Sequence, residues 1–239
     1  MQSLAREVER RMQRLAEASV SELYEDPFWF ARYGEERARR FGSEDAVFHV
    51  RYLVQALEAK DAGVMERYAR WLQGLLVPRG MSSRHIAAHF QGLQAALVRE
   101  GLTQPPEALE YVRAAELALE WPEGAARAVH QALPQLVPQA LAELSAREGP
   151  LTRGQEIRLG DEMLLQLSYL MDALGAQRPG LFVEHVRWYA GFWPHRDLRC
   201  SYRGLLEALE AALARDVTVS EVPRVTVATG LTALEKEQS

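Results

Sequence analysis

Histidine and cysteine carry most metal, tetrapyrrole and nucleophilic chemistry near neutral pH, so their placement comes first. The 239-residue sequence holds six histidines and one cysteine. His49 stands one helical turn after Asp45, with Tyr52 three residues further on. A neutral imidazole there can ligate haem iron or hydrogen-bond the pyrrole nitrogens or propionates of a bilin, a carboxylate fixing its tautomer. A histidine that only hydrogen-bonds within a helix bundle would show the same pattern. His85 and His89 stand at i and i+4, a spacing that can hold a metal. No glutamate sits between them in the zinc-protease arrangement and no third ligand is near, so a surface pair is expected. His185 and His195 flank the run Trp188-Tyr189-Ala190-Gly191-Phe192-Trp193, which could stack on a planar ligand or form core. Cys200 is expected in the first turn of a helix, where a thiolate is favoured; a covalent bilin link or simple packing both fit. The sequence has no P-loop, GxGxxG, GxSxG, HExxH or EF-hand loop, and no carboxylate pair stands out by spacing. The chain is therefore read as a non-enzyme without a metal site.

The elements that would position these residues read almost throughout at the 3.6-residue period. Leu4, Val8, Met12 and Leu15 stripe a first helix. Pro27 opens an aromatic segment, 27–41, with Phe28, Trp29, Phe30 and Tyr33. Ser43 resembles an N-cap followed by acidic Glu44 and Asp45, opening a helix with Val47, Val50, Val54 and Leu57. Further helices are expected over 62–77, from Ser82 or Ser83 to Gly101, and over 107–121. The pattern then restarts. Residues 125–148 read as a helix kinked or split by Pro134 and Pro138, followed by helices over 152–174, 179–193 and 196–215. The valines at 217, 219, 222, 225 and 227 alternate loosely around Pro223, so 217–239 is expected as an extended or disordered tail, whose residues 231–237 could form a short helix. This segment could dock on a partner.

Composition narrows the class. Hydrophobic residues make up 48% and charged residues 26%, enough for a real core. The net charge of −5 lacks the basic excess that phosphate contacts favour, so no direct nucleic-acid binding is expected. No apolar run approaches the roughly 18 residues of a membrane span, and the arginine-bearing start lacks a secretory signal's apolar core. A cytoplasmic protein is expected. Lysine occurs only at positions 60 and 236, which suggests a GC-rich, thermophilic source.

Two stretches match at a constant spacing of 117 residues: Tyr52-Leu53 with Tyr169-Leu170, Ala56-Leu57 with Ala173-Leu174, Arg70-Trp71 with Arg187-Trp188, and Arg79 with Arg196. Leu93 and Leu97 meet Leu209 and Leu213 at a spacing of 116. Such a period is too long for a solenoid repeat. It predicts an all-α protein built by tandem duplication of a globin-like or four-to-five-helix bundle module, over 1–121 and 122–216, with the tail beyond. The shared tyrosines and tryptophans lie on apolar faces and are expected in the cores; the arginines follow helix ends and can bond terminal carbonyls.

Tyr33-Gly34-Glu35, Glu44-Asp45, His49, Tyr52-Leu53, Ala56-Leu57, Tyr68, Trp71 and Arg79-Gly80 together resemble a helical module that accompanies cobalamin-binding domains in bacterial regulators. It is similar to bilin-biosynthesis-associated globins and photocobilin-type sensors. The resemblance covers about 33–97, and its repeat, about 153–213, poorly. The cobalamin-binding domain has no counterpart here, and position 166 is glutamine where position 49 is histidine. The resemblance implies a globin-like fold and a sensory role, with a linear tetrapyrrole such as biliverdin, or haem, as cofactor. Its pocket would be His49, lined by Tyr52, Tyr68 and Trp71, with Asp45 and Arg79 beside them. The other expectation is a cofactor-free scaffold for protein–protein interaction, whose unknown partner could be a second copy of the chain.

Overall fold

The computed structural model describes residues 3–237, with the backbone alone for Phe41 and Glu237. Its described residues form helices and no strands, and none of these helices is long and apolar enough to cross a membrane. The chain divides into two compact units, Met1–Glu120 and Trp121–Ser239.

The first unit contains α1 (Leu4–Arg10), α2 (Met12–Val20), α3 (Phe28–Tyr33), α4 (Glu35–Ala59), α5 (Gly63–Leu76), α6 (Ser83–Arg99) and α7 (Glu107–Leu117). Ser3 and Ser82 accept backbone N–H groups at the starts of α1 and α6, satisfying donors that a helix start leaves open. Ala46, Val50, Leu53 and Ala56 turn one face of α4 inward, against Met65, Ala69 and Leu72 of α5 and Ile86, Phe90, Leu93 and Leu97 of α6. Burial of each larger side chain contributes about 1.5–3 kcal/mol. α2 packs on α4 and α6, α4 on α5, and α7 on α5 and α6; α1 and α3 both lie against α4. Gly92 permits the α2–α6 contact, because a Cβ there would collide with the Ser19 carbonyl.

The second unit contains α8 (Gly124–Glu148), α9 (Arg153–Gly175), α10 (Gly180–Phe192), α11 (Tyr202–Arg215) and α12 (Glu221–Glu237). Thr152 and Gln155 form a capping box at the start of α9. α8 packs on α9 and α11, α9 on α10, and α12 on α10 and α11. The packing order follows that of the first unit, with α8 standing where α2 does. α3 has no partner in that correspondence, since only 149–152 join α8 to α9.

Several expectations are corrected. Residues 217–239 are not an extended tail: 221–237 form α12, and the second unit runs past residue 216 to the end of the described chain. Pro223 falls in the first turn, where a missing N–H costs nothing. Positions 223, 226, 227, 230, 231, 233 and 234 are buried at helical spacing. The valines misled because Val222 and Val225 face outward. Ser43 is no cap, since the positive φ of Gly34 ends α3 and the helix that starts there is already running at residue 43. α8 continues through Pro134 and Pro138, both on its exposed side. Trp71 is not core but 58% exposed; α5 buries Met65, Tyr68, Ala69 and Leu72 instead. Cys200 precedes α11 and is buried, and burial pushes its thiol up to about 11, so no thiolate forms near neutral pH.

Candidate functional site

A cleft of about 420 Å3 opens in the first unit, within the size range of small-molecule sites. Leu23, Trp29, Ala38, Leu75, Leu76 and Met81 supply apolar wall. Tyr24, Tyr33, Arg37, Asp45, Arg79 and His89 bring polar atoms to it. One side is built by α3 and the turn before it, a second by α4, and the rest by the end of α5, the turn after it and α6. Asp26 holds the entry to α3 by accepting the Phe28 N–H at 2.8 Å.

Three groups in the cleft are poised by burial. His89 is only 7% exposed, and its Nδ1 has no hydrogen-bond partner among the described residues. Burial lowers its imidazole to about 4, so the ring is neutral at pH 7. The ring stands edge-on to Trp29, with centroids 5.5 Å apart, and 5.4 Å from His49. Burial, with a smaller contribution from Glu44, raises Asp45 to about 6. Among the described residues no hydrogen bond or ion pair reaches the Asp45 carboxyl. Burial likewise raises the Tyr33 hydroxyl to about 12.

The expected site residues separate into two groups. Asp45 and Arg79 line the cleft. His49 is buried behind it, and its Nδ1 lies 2.9 Å from the Tyr68 hydroxyl rather than beside Asp45. Burial lowers the His49 imidazole and raises the Tyr68 phenol, so a neutral pair shares this hydrogen bond. Tyr52 stacks on Tyr68 at 3.8 Å between ring centroids, and Trp71 continues the stack outward at 6.1 Å. These four residues form a packed ladder beside the cleft instead of its lining. His85 and His89 are no surface pair: His85 is half-buried against Phe28 and Trp29, and His89 is the histidine of the cleft. The arginine Nη1 of Arg79 donates to the Leu75 carbonyl, as expected for a residue after a helix end.

Trp29, Tyr33, Arg37 and His89 were not singled out by spacing as one site. The available signal was the aromatic segment around α3, which has no counterpart 117 residues on. Among the described residues no three histidine, cysteine, aspartate or glutamate side chains gather as a metal site.

The second unit repeats the ladder with other residues. Gln166 Oε1 lies 2.9 Å from His185 Nε2, and Tyr169 stacks on His185 at 3.4 Å. Gln166, Tyr169 and His185 stand 117 residues beyond His49, Tyr52 and Tyr68. Glu162 stands 117 residues beyond Asp45, but it is bonded: Arg196 Nε lies 2.9 Å from its carboxylate, and the Tyr189 hydroxyl donates to it. Buried aromatic rings replace the leucines of the first unit at this place, with Tyr189 for Leu72, Phe192 for Leu75 and Trp193 for Leu76. Compared with family models, curated proteins and solved structures, this chain finds no match.

Proposed function

We propose that the chain is a non-catalytic, cytoplasmic sensory or regulatory protein whose first unit binds a flat tetrapyrrole, a bilin or haem, in the cleft around Asp45 and His89. The observation that carries this reading is one cleft with aromatic and aliphatic walls and a few converging polar groups left without partners. Trp29 and Tyr33 offer ring faces, exposed Arg37 and Arg79 can meet propionates, and Asp45 can accept pyrrole N–H groups. His89, with its free Nδ1, fits an iron ligand better than His49, whose Nδ1 is engaged by Tyr68. A bound tetrapyrrole supplies a conjugated, redox- or light-responsive group whose state a partner can read.

The module itself we read as a five-helix bundle duplicated in tandem. The recurrence of one hydrogen bond and one ring stack at a spacing of 117 supports that reading over convergent helix packing. Purified protein mixed with biliverdin or haemin is expected to shift the ligand's visible band. The double substitution Leu75→Phe with Leu76→Trp, which copies Phe192 and Trp193, is expected to abolish the shift. An unshifted spectrum for both ligands with the wild-type protein removes this reading.

A scaffold role is the second reading. Exposed Val222 and Val225 border a groove of about 640 Å3 with Leu174, Pro179 and Val183 in the second unit. A partner docked there would explain why α12 keeps valines on its outer side.

A further inference from the structure

We infer that Asp45 is the anchor of the first-unit cleft and receives a cationic N–H group, an amidinium, guanidinium or protonated amine, borne by a flat apolar body. In the second unit, the carboxylate at this register is matched by a guanidinium and a hydroxyl, those of Arg196 and Tyr189. In the first unit both matching donors are missing. Position 72 is leucine in place of tyrosine, and Arg79 Nη1 donates to the Leu75 carbonyl rather than to Asp45. The half-buried Asp45 carboxyl is left at the wall of an open cleft with no donor among the described residues bonded to it, so it keeps its acceptor capacity for a ligand.

The rest of the cleft says what carries the donor. Trp29, Tyr33 and Tyr24 line it with aromatic rings, which attract a cation over their faces and stack on a flat body. His89 is neutral and leaves Nδ1 free within the same wall, so it adds a hydrogen-bonding position and no repulsion. Arg37 and Arg79 are exposed, so their charges are screened by water and oppose a buried cation weakly. Leu75, Leu76 and Met81 then bury the apolar body.

This assignment stands independently of the tetrapyrrole reading, and small probes test it separately. Benzamidine, benzoate and toluene present the same ring with a cation, an anion or no charge. Calorimetric titration of the full chain is expected to show saturable binding of benzamidine, at least tenfold tighter than benzoate or toluene. The Asp45→Asn substitution keeps the shape and is expected to weaken benzamidine at least tenfold while leaving the helical circular dichroism unchanged. Leu72→Tyr, which restores the hydroxyl of the second unit, is expected to weaken it as well. Comparable affinity for benzamidine and benzoate, binding in Asp45→Asn within twofold of wild type, or no benzamidine binding at all overturns the assignment. Biliverdin binding without any benzamidine binding would sink this assignment and leave the tetrapyrrole reading standing; benzamidine binding without any tetrapyrrole binding does the reverse.

Discussion

The two units place a carboxylate at the same register and treat it in opposite ways. In the second, Glu162 is buried at 8% exposure with Arg196 and Tyr189 bonded to it, and Phe192 and Trp193 pack beside the group. In the first, Asp45 faces a cleft bordered by leucines and by α3, a helix that the second unit lacks. The surrounding helices, their packing order and the buried ladder hydrogen bond are shared. The lesson is that the same order of helix packing can leave a position closed or open according to a few side chains at one helix end. Aromatics and an ion pair close the position, whereas leucines and an inserted helix open it.

The comparison breaks most sharply at the two arginines. Replacing Arg196 by Met leaves Glu162 buried without its cation, an event that costs about 3–5 kcal/mol. Replacing Arg79 by Met removes a surface contact and is expected to stay within about 0.5 kcal/mol of wild type. Urea unfolding of the two variants measures both; equal losses would erase the distinction between a closed and an open position.

The ladder is expected to behave alike in both halves. Tyr68→Phe orphans the buried His49 Nδ1, and Gln166→Leu deprives His185 and the Tyr202 hydroxyl of their shared acceptor. Each is expected to cost about 1–3 kcal/mol. A loss confined to one unit would mean that the shared geometry carries unequal energy.

Asp45 adds a pH signature. Its folded pKa of about 6 lies above the ordinary 3.8, so the folded state holds this proton more tightly than the unfolded state does. The ionised carboxyl therefore opposes folding above pH 6, and that penalty fades as pH falls through 6 towards 4. Asp45→Asn is expected to be more stable than wild type by about 1–2 kcal/mol at pH 7, after allowance for solvent screening. The gap should close near pH 4. Tyr24, Tyr33, Glu44, Tyr68, Arg37, Arg79 and His89 are common to both proteins, so the difference between the two stability curves isolates Asp45; a gap that is constant with pH contradicts its placement. His89, lowered to about 4 from 6.5, works in the opposite sense: folding keeps it neutral, so its contribution is present above pH 6.5 and is lost between 6.5 and 4 in both proteins. A small effect is also expected at Trp71, where removal of the exposed ring should cost less than about 1 kcal/mol.

Helix existence was legible in the sequence wherever one apolar face repeats over several turns, as in α5, α6, α9 and α11. The cap at Ser82 was readable because a side-chain oxygen there has a local job. α12 was missed because Pro223, Thr226 and Gly230, which make up much of its buried face, are not read as apolar. Of the expected pocket residues, Asp45 and Arg79 line the cleft, and His89 lines it where His49 was expected. A histidine beside a carboxylate in sequence suggested the ligand, yet the helix turned His49 towards Tyr68 and left His89, forty residues on, at the wall of the cleft.

Local spacing by itself determined the helical class, the boundary between the units near residue 120 and the recurrence at 117, because periodicity and turn residues act over short stretches of chain. Only the tertiary structure decided which carboxylate is paired, which histidine meets the cleft and which tryptophan faces water. Those outcomes depend on side chains brought together from distant helices, and on burial, which no single stretch of sequence sets.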